Sequence, residues 1–516
     1  MKRGIIHLYK ISIVFLDREF EHDVFELIRA FYPESEIDAS GETAEECDLC
    51  FRIEKQGHSW LIHYRNEEHR GVASAEFVQG QSSDALLSCC MEKDGSSAAK
   101  DAHALRKENK DRLKYALYKL LVKLTGRTLP WGNLTGIRPA KLAMAMIESG
   151  MKNTEAAKEM RERYLVSPEK TALAITIANR EREILKDIDY ENGYSLYVGI
   201  PFCPSICLYC SFSSYPLKQW KDRVELYLDA LCREIRAVAR LMKEKGRKLD
   251  TIYIGGGTPT TLEPEQLIRL FDALGECFGY EGLAEFTVEA GRPDSITREK
   301  LEAVRKYPVT RISVNPQTMN QVTLDIIGRK HTVGETRRAF ALARECGFDN
   351  INMDLIVGLP GEDRSMVEHT LSEVKTLGPD SITVHSLAVK RAARLNIFRD
   401  KYQEMTFENN QEIMDMTMKT AYEMGMGPYY LYRQKNMKGN FENVGYAKVD
   451  KAGIYNILIM EEKQPIIALG AGGSSKLVFD HGKRIERVEN VKDVSNYISR
   501  IDEMIERKRA GIGTWL

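Results

Sequence analysis

Between residues 195 and 386, apolar positions fall in short, β-branched runs separated by longer stretches of helical period. The runs predict strands at Ser195–Ile200, Thr251–Ile254, Glu285–Glu289, Thr310–Val314, Asn350–Val357 and Ser381–Ser386. Between them, apolar stripes predict helices at Lys221–Lys245, Pro264–Phe278, Ser295–Lys306, Val333–Cys346 and Arg364–Leu377. Strands that alternate with helices at this spacing are parallel, with right-handed crossovers. Six units are too few for an eight-fold barrel, so the expected fold class is α/β, with an open partial (β/α)6 barrel over residues 191–395. Parallel barrels place their chemistry at the C-terminal ends of the strands. The unusual residues gather there: a cysteine loop, Gly255–Thr258, Glu289, Gln317, Asp354 and His385.

The flanks have a different rhythm. Residues 1–190 read as an α+β domain of unknown role, with strands at Gly4–Leu16, Cys47–Glu54 and Ser59–Arg65 and helices at Glu19–Phe31 and Asp101–Leu124. Gly126 and Pro130 end the long helix, and further helices run to about Asp187. Residues 396–516 read as a smaller α+β domain. It has a helix at Phe407–Met424, strands at Tyr429–Arg433, near Tyr455–Met460 and at Ile466–Leu469, and a last helix at Val491–Lys508.

With 43% hydrophobic and 29% charged residues, the chain is neither mainly disordered nor fibrous. Seventy-four basic and 75 acidic residues leave a net charge of −1, so no global field draws it to nucleic acid or lipid. The longest apolar stretches, Ile11–Leu16 and Ile454–Met460, fall far short of the ~20 residues of a membrane span. The basic start Met1-Lys2-Arg3 has a signal-peptide flavour, but His7 and Lys10 interrupt the apolar run, and Asp17-Arg18-Glu19 stands where a cleavage site belongs. A first strand and a cytoplasmic location are expected. Most of the ten cysteines are scattered, as in a reducing compartment.

Cys203, Cys207 and Cys210 are the exception. Their C-x3-C-x2-C spacing, in a loop with two prolines, lets three thiolates reach three corners of one cubane. A structural zinc site wants a fourth ligand, and no Cys or His lies near. An iron–sulfur cube with three cysteines leaves one iron open. Ile254-Gly-Gly-Gly-Thr-Pro-Thr260 follows a strand, and its glycines allow close backbone approach and expose N–H groups to a ligand. Cys47-Asp-Leu-Cys50 has redox or metal spacing but no partner cysteines and reads as structural, as do the loosely grouped His58, His63 and His69.

The cysteine spacing resembles the radical S-adenosylmethionine (radical SAM) superfamily. The set Y-x-x-I-P-F-C-x3-C-x2-C, G-G-G-T-P-T, S-V-N-P-Q-T and N-x-D-L-I-V-G-L-P-G, with Leu469-Gly-Ala-Gly-Gly-Ser-Ser475, resembles its oxygen-independent coproporphyrinogen III oxidase family over roughly residues 190–480. The N-terminal extension and Tyr429–Asn440 narrow the likeness to the coproporphyrinogen dehydrogenase, or HemZ-like, branch. The resemblance implies a [4Fe-4S] cluster on Cys203, Cys207 and Cys210, with SAM on its open iron. A 5′-deoxyadenosyl radical would then take a propionate β-hydrogen, so that two propionates of coproporphyrinogen III become the vinyls of protoporphyrinogen IX. It also implies two SAM molecules, one at Tyr197, Gly256 and Glu289, the other at Tyr209, Gly257, Thr258, Gln317, Arg329, Asp354 and Ser386. Beyond the cluster and SAM, no catalytic side chain is implied. A tetrapyrrole with four carboxylates needs basic residues at its mouth, and Arg311, Lys390, Arg391 and Arg394 are the candidates. An electron donor and an electron acceptor are further expected partners.

Two departures matter. Gly199 stands where relatives usually have His, and Phe212 where the oxidases carry a further Cys. The haem chaperones of this family also lack that Cys, but typically carry H-N-x-x-Y-W where this chain has Glu442-Asn-Val-Gly-Tyr-Ala447. The chaperone is thus the competing expectation, and a radical SAM enzyme acting on another substrate is a third.

Overall fold

The computed structural model describes residues 9–33, 35–40, 47–57, 59–66, 70–76, 97–136, 138–212, 214–388, 393–397, 408–434 and 441–515. Lys390, Arg391, His58 and His69 lie outside them. The chain divides into two compact units between Ile175 and Thr176.

The first unit holds a five-stranded sheet of β1 (Lys10–Phe15), β2 (Glu36–Asp38), β3 (Leu49–Gln56), β4 (Ser59–Asn66) and β5 (Arg70–Glu76), in the order β2-β1-β3-β4-β5. β1 runs parallel to β2 and β3, and β3, β4 and β5 form an antiparallel meander. Ile11, Ile13, Phe51, Ile53, Trp60 and Ile62 form one core with the apolar stripes of helices Glu21–Phe31 and Ser97–Thr125. That core explains the two helices, since an amphipathic face is stable only when covered. His63 hydrogen-bonds Glu54 across the β3–β4 pair at 2.9 Å.

The second unit begins with β6 (Gly193–Ile200), followed by two short strands, β7 (Phe202–Cys203) and β8 (Tyr215–Pro216), that pair with each other. Then come β9 (Lys248–Gly256), β10 (Glu285–Gly291), β11 (Arg311–Val314), β12 (Ile351–Val357) and β13 (Ser381–Ser386). β6, β9, β10, β11, β12 and β13 lie side by side in chain order and all parallel, which is the expected (β/α)6 barrel sheet. The intervening helices include Val224–Glu244, Pro264–Phe278, Arg298–Arg305, Val333–Glu345 and Arg364–Leu377.

The C-terminal strands do not fold as a sheet of their own. β14 (Gly427–Tyr432) and β15 (Asn443–Ala447) extend the barrel sheet beyond β13, and β16 (Ile466–Leu469), β17 (Ser474–Phe479) and β18 (Arg484–Glu489) extend it beyond β6. The result is one eleven-stranded sheet, because an open barrel leaves two edges whose backbone groups need partners. The segment expected as a strand near Tyr455–Met460 is a helix, Ile454–Glu461. A short apolar run does not distinguish strand from buried helix, and here Gly453 precedes the first turn. The last helix is broken at Arg500 into Val494–Ser499 and Ile501–Thr514. No helix among the described residues is long and apolar enough to cross a membrane.

Candidate functional site

The barrel strands are almost wholly buried, yet five of them carry one half-exposed residue each away from their ends: Tyr197 on β6, Tyr253 on β9, Glu289 on β10, Asp354 on β12 and His385 on β13. Parallel register sets Tyr197 beside Tyr253. Polar side chains on neighbouring strands thus face one interior space.

Tyr253 donates a hydrogen bond to a carboxylate oxygen of Glu289. Tyr253 stacks on Tyr455 at 4.5 Å between ring centroids and on Tyr197 at 6.2 Å. Burial pushes the Glu289 carboxyl up to about 7, against the hydrogen bond from Tyr253. Burial also opposes the charge on Asp354, but the neighbouring His385 ring and a hydrogen bond from Asn352 hold that carboxylate below the ordinary range. Asn352 donates to it at 2.7 Å, and His385 Nε2 stands 3.9 Å away. Asp354 accepts at its backbone C=O from the N–H of Gln317, at 3.0 Å. Gln317 itself is held at φ +67°, a left-handed conformation that costs a non-glycine residue about 1–2 kcal/mol. Strain of this kind persists where surrounding structure imposes it.

The cysteine loop, which follows β6, is tied at many points. Tyr215 N–H donates to Pro201 C=O (2.8 Å), Leu208 N–H to Ile327 C=O (2.9 Å) and Leu395 N–H to Leu208 C=O (2.9 Å). Leu208 packs with Leu324, Ile327, Ile356, Leu359, Leu387 and Leu395. Cys203 and Cys207 are buried, Cys210 is half-buried, and all three are free thiols. Burial pushes the Cys203 thiol up to about 11 and raises that of Cys210. The Thr258 hydroxyl stands 3.6 Å from Cys203 Sγ.

The glycine-rich turn fits against this loop, and each glycine answers a different constraint. A Cβ on Gly255 would meet Tyr253 at 2.8 Å and the Glu289 carboxyl at 3.0 Å. Gly256 has φ +110°. A Cβ on Gly257 would lie 2.5 Å from Phe202 O and 3.0 Å from Cys203 Sγ. The turn does not offer N–H donors as expected, however. Those of Gly257 and Thr258 donate to Ile200 C=O and Phe202 C=O, both at 2.7 Å. These amides are engaged in holding the cysteine loop.

Two buried arginines, 3% and 5% exposed, converge on Cys207. Arg329 donates to Asn315 C=O, and Tyr209 and Cys207 share its field. Arg292 was not among the sequence candidates, although Arg292-Pro-Asp294 directly follows β10 at the barrel mouth. Its Nη1 donates to Ser205 Oγ (2.8 Å) and C=O (3.0 Å) and stands 3.7 Å from Cys207 Sγ.

Two candidates occupy other roles. Arg311 opens β11 instead of ending it and is 2% exposed, where Glu285, Tyr253, Tyr429 and Asp354 share its field and Ser381 accepts from it. It is an internal ion partner and no mouth residue. The Ser386 hydroxyl donates to Glu442 C=O (3.0 Å) and its N–H to Asn443 Oδ1 (2.8 Å), binding β13 to the start of β15. Arg394 is exposed beside Leu395, next to the cysteine loop.

Comparison with known proteins agrees with this geometry. The radical SAM superfamily model matches residues 197–374. The HemZ protein of Bacillus subtilis, described as oxygen-independent coproporphyrinogen-III oxidase-like, is 42% identical over 404 residues, 78% of this chain and 81% of the relative. The chain belongs to this radical SAM family. The heme chaperone HemW of B. subtilis is 39% identical over 197 residues, 38% of this chain and 51% of the chaperone. The solved structure of coproporphyrinogen III oxidase (HemN) from Escherichia coli shares the fold, with a TM-score of 0.50 and 24% identity, covering 63% of this chain and 72% of that one. Radical SAM membership implies a [4Fe-4S] cluster and SAM, and the donor set fits them. Three free cysteines share one loop, and a glycine cradle lies against one of their sulfurs. Among the described residues, no three His, Cys, Asp or Glu side chains converge as a single metal ion requires, whereas in a cube each cysteine ligates its own iron.

Proposed function

We propose that this protein is an oxygen-independent coproporphyrinogen III dehydrogenase of the cytoplasm, converting two propionates to vinyls with a cluster on Cys203, Cys207 and Cys210 and two SAM molecules. The observation that carries the reading is the set of Tyr197, Tyr253, Glu289, Asp354 and His385 on the barrel strands, joined to the cysteine loop by the glycine turn, where Gly255 lies against Glu289 and Gly257 against Cys203 Sγ. When bound, the cluster and SAM supply the hydrogen-abstracting chemistry; the chain supplies aim and a dry interior. Glu289, ionised above pH ~7, accepts from ligand hydroxyl or ammonium groups, with Tyr253 fixing its orientation. The carbonyls around Gly256 take the amino group of one SAM. Gln317, Asp354 and Arg329 line the second subsite, with Tyr209 in the field of Arg329. Arg394, exposed beside the cysteine loop, supplies a positive charge for substrate carboxylates.

A second reading, a haem chaperone, draws on the HemW match and on Phe212, 73% exposed in place of a further cysteine. The structure of residues 442–447 weighs against it. Glu442 and Asn443 are each 1% exposed, Val444–Ala447 pair with strands on both sides, and no histidine stands there to ligate haem iron. Anaerobically loaded protein given coproporphyrinogen III, SAM, a reductant and an electron acceptor should release CO2 and form mono- and divinyl products. Tight haem binding with SAM left intact and no vinyl product would favour the chaperone.

A further inference from the structure

We propose that Arg292 tunes the cluster, raising its reduction potential through the contact with Cys207. The inference rests on the reading of the loop as a cluster site. Adding an electron to a cube ligated by thiolates increases its negative charge, and N–H groups aimed at the sulfurs stabilise the reduced state. Arg292 presents such an N–H from a fixed position. Its Nε and Nη2 are both held by Asp294, at 2.9 and 2.7 Å, which leaves Nη1 for Ser205 and Cys207 Sγ. At 3% exposure, solvent and salt screen this contact little. Asp294 compensates part of the guanidinium charge, so the effect acts mainly through the directed N–H.

The three sulfurs are consequently unequal. Cys207 faces two buried guanidinium groups, Cys203 a threonine hydroxyl, and Cys210 a serine hydroxyl 4.0 Å away. A one-electron donor meets a cube whose reduction is favoured at the Cys207 corner. That placement has a use: the reduced state must be reachable by a cellular donor before SAM can be split.

The test compares wild type, Arg292→Gln and Arg292→Lys, loaded with iron and sulfide under argon. Iron per chain is measured first, then the cluster is titrated potentiometrically with electron paramagnetic resonance as the readout. For Arg292→Gln, the ratio of reduced to oxidised cluster at a fixed potential should fall tenfold, about 59 mV for a one-electron couple. Arg292→Lys, which keeps a charge but cannot fork, should fall about threefold. If Arg292→Gln takes up no iron, the lysine variant decides alone, and an unmoved potential overturns the proposal. A purely structural role lowers loading or the unfolding midpoint while the loaded fraction keeps the wild-type potential; that result also overturns it. Wild type that binds no iron removes the cluster reading and this proposal together, and iron content alone identifies that case.

Discussion

Gly257→Ala places the largest demand on the smallest change. The new Cβ would sit 2.5 Å from Phe202 O, 2.9 Å from Pro201 C and 3.0 Å from Cys203 Sγ. The first contact is at least 0.5 Å inside the 3.0 Å limit that real Cβ atoms respect, and two of the three partners are backbone. The turn cannot retreat freely, because the N–H groups of Gly257 and Thr258 are bonded at 2.7 Å to Ile200 and Phe202. The strain is relieved by moving residues 201–203 outward, which carries the Cys203 sulfur with them. Overpacking of this kind costs about 1–3 kcal/mol, or roughly 5- to 150-fold in a folding or loading equilibrium. Iron per chain after anaerobic loading and the urea unfolding midpoint should both fall. Gly513→Ala is the control: it lies in helix Ile501–Thr514 with no heavy atom within 4 Å of its Cβ, so it should gain ~0.5–1 kcal/mol. A Gly257→Ala protein with wild-type midpoint and full iron content would refute the close fit of turn to loop.

Tyr253→Phe removes the hydrogen bond that favours ionised Glu289, so the Glu289 carboxyl should titrate above its value of about 7. SAM affinity, followed by calorimetry, should strengthen as pH rises through that range in the wild type, and the variant should need a higher pH. Lys508→Met leaves Glu234 buried without its 3.1 Å partner, both side chains being 0% exposed. Loss of about 3–5 kcal/mol is expected by chemical denaturation. Because Glu234 also accepts from the N–H of Gly470, the loop at 470–473 should become more exposed to hydrogen exchange. Ser386→Ala should cost only about 0.5–1.5 kcal/mol of stability and leave SAM affinity unchanged, since its hydroxyl is bonded to Glu442.

The barrel was legible because each parallel strand, buried on both faces, is a compact apolar run. Ser381–Ser386 was expected at the bounds it has, and Pro264–Phe278 likewise. The C-terminal half was less legible. β18, the edge strand, interleaves Arg484, Glu486 and Arg487 with Ile485 and Val488, because solvent on an open edge removes the demand for an apolar run. The site divides in the same way. Cysteine spacing and glycines are local signals, and they stood in the sequence. Arg292, Tyr253 and Asn315 owe their roles to register and to contacts that cross strands, which spacing does not encode. Arg311 misled because a charged residue beside an apolar strand reads as surface, whereas here Glu285 balances it inside the barrel.

The most direct measurement is SAM cleavage by the loaded protein, reduced under argon. Wild type should bind close to four irons per chain and release 5′-deoxyadenosine, while Cys203→Ala, Cys207→Ala and Cys210→Ala should each lose both. Wild-type cleavage retained in any of these three variants, or folded wild type that takes up no iron, would contradict the account.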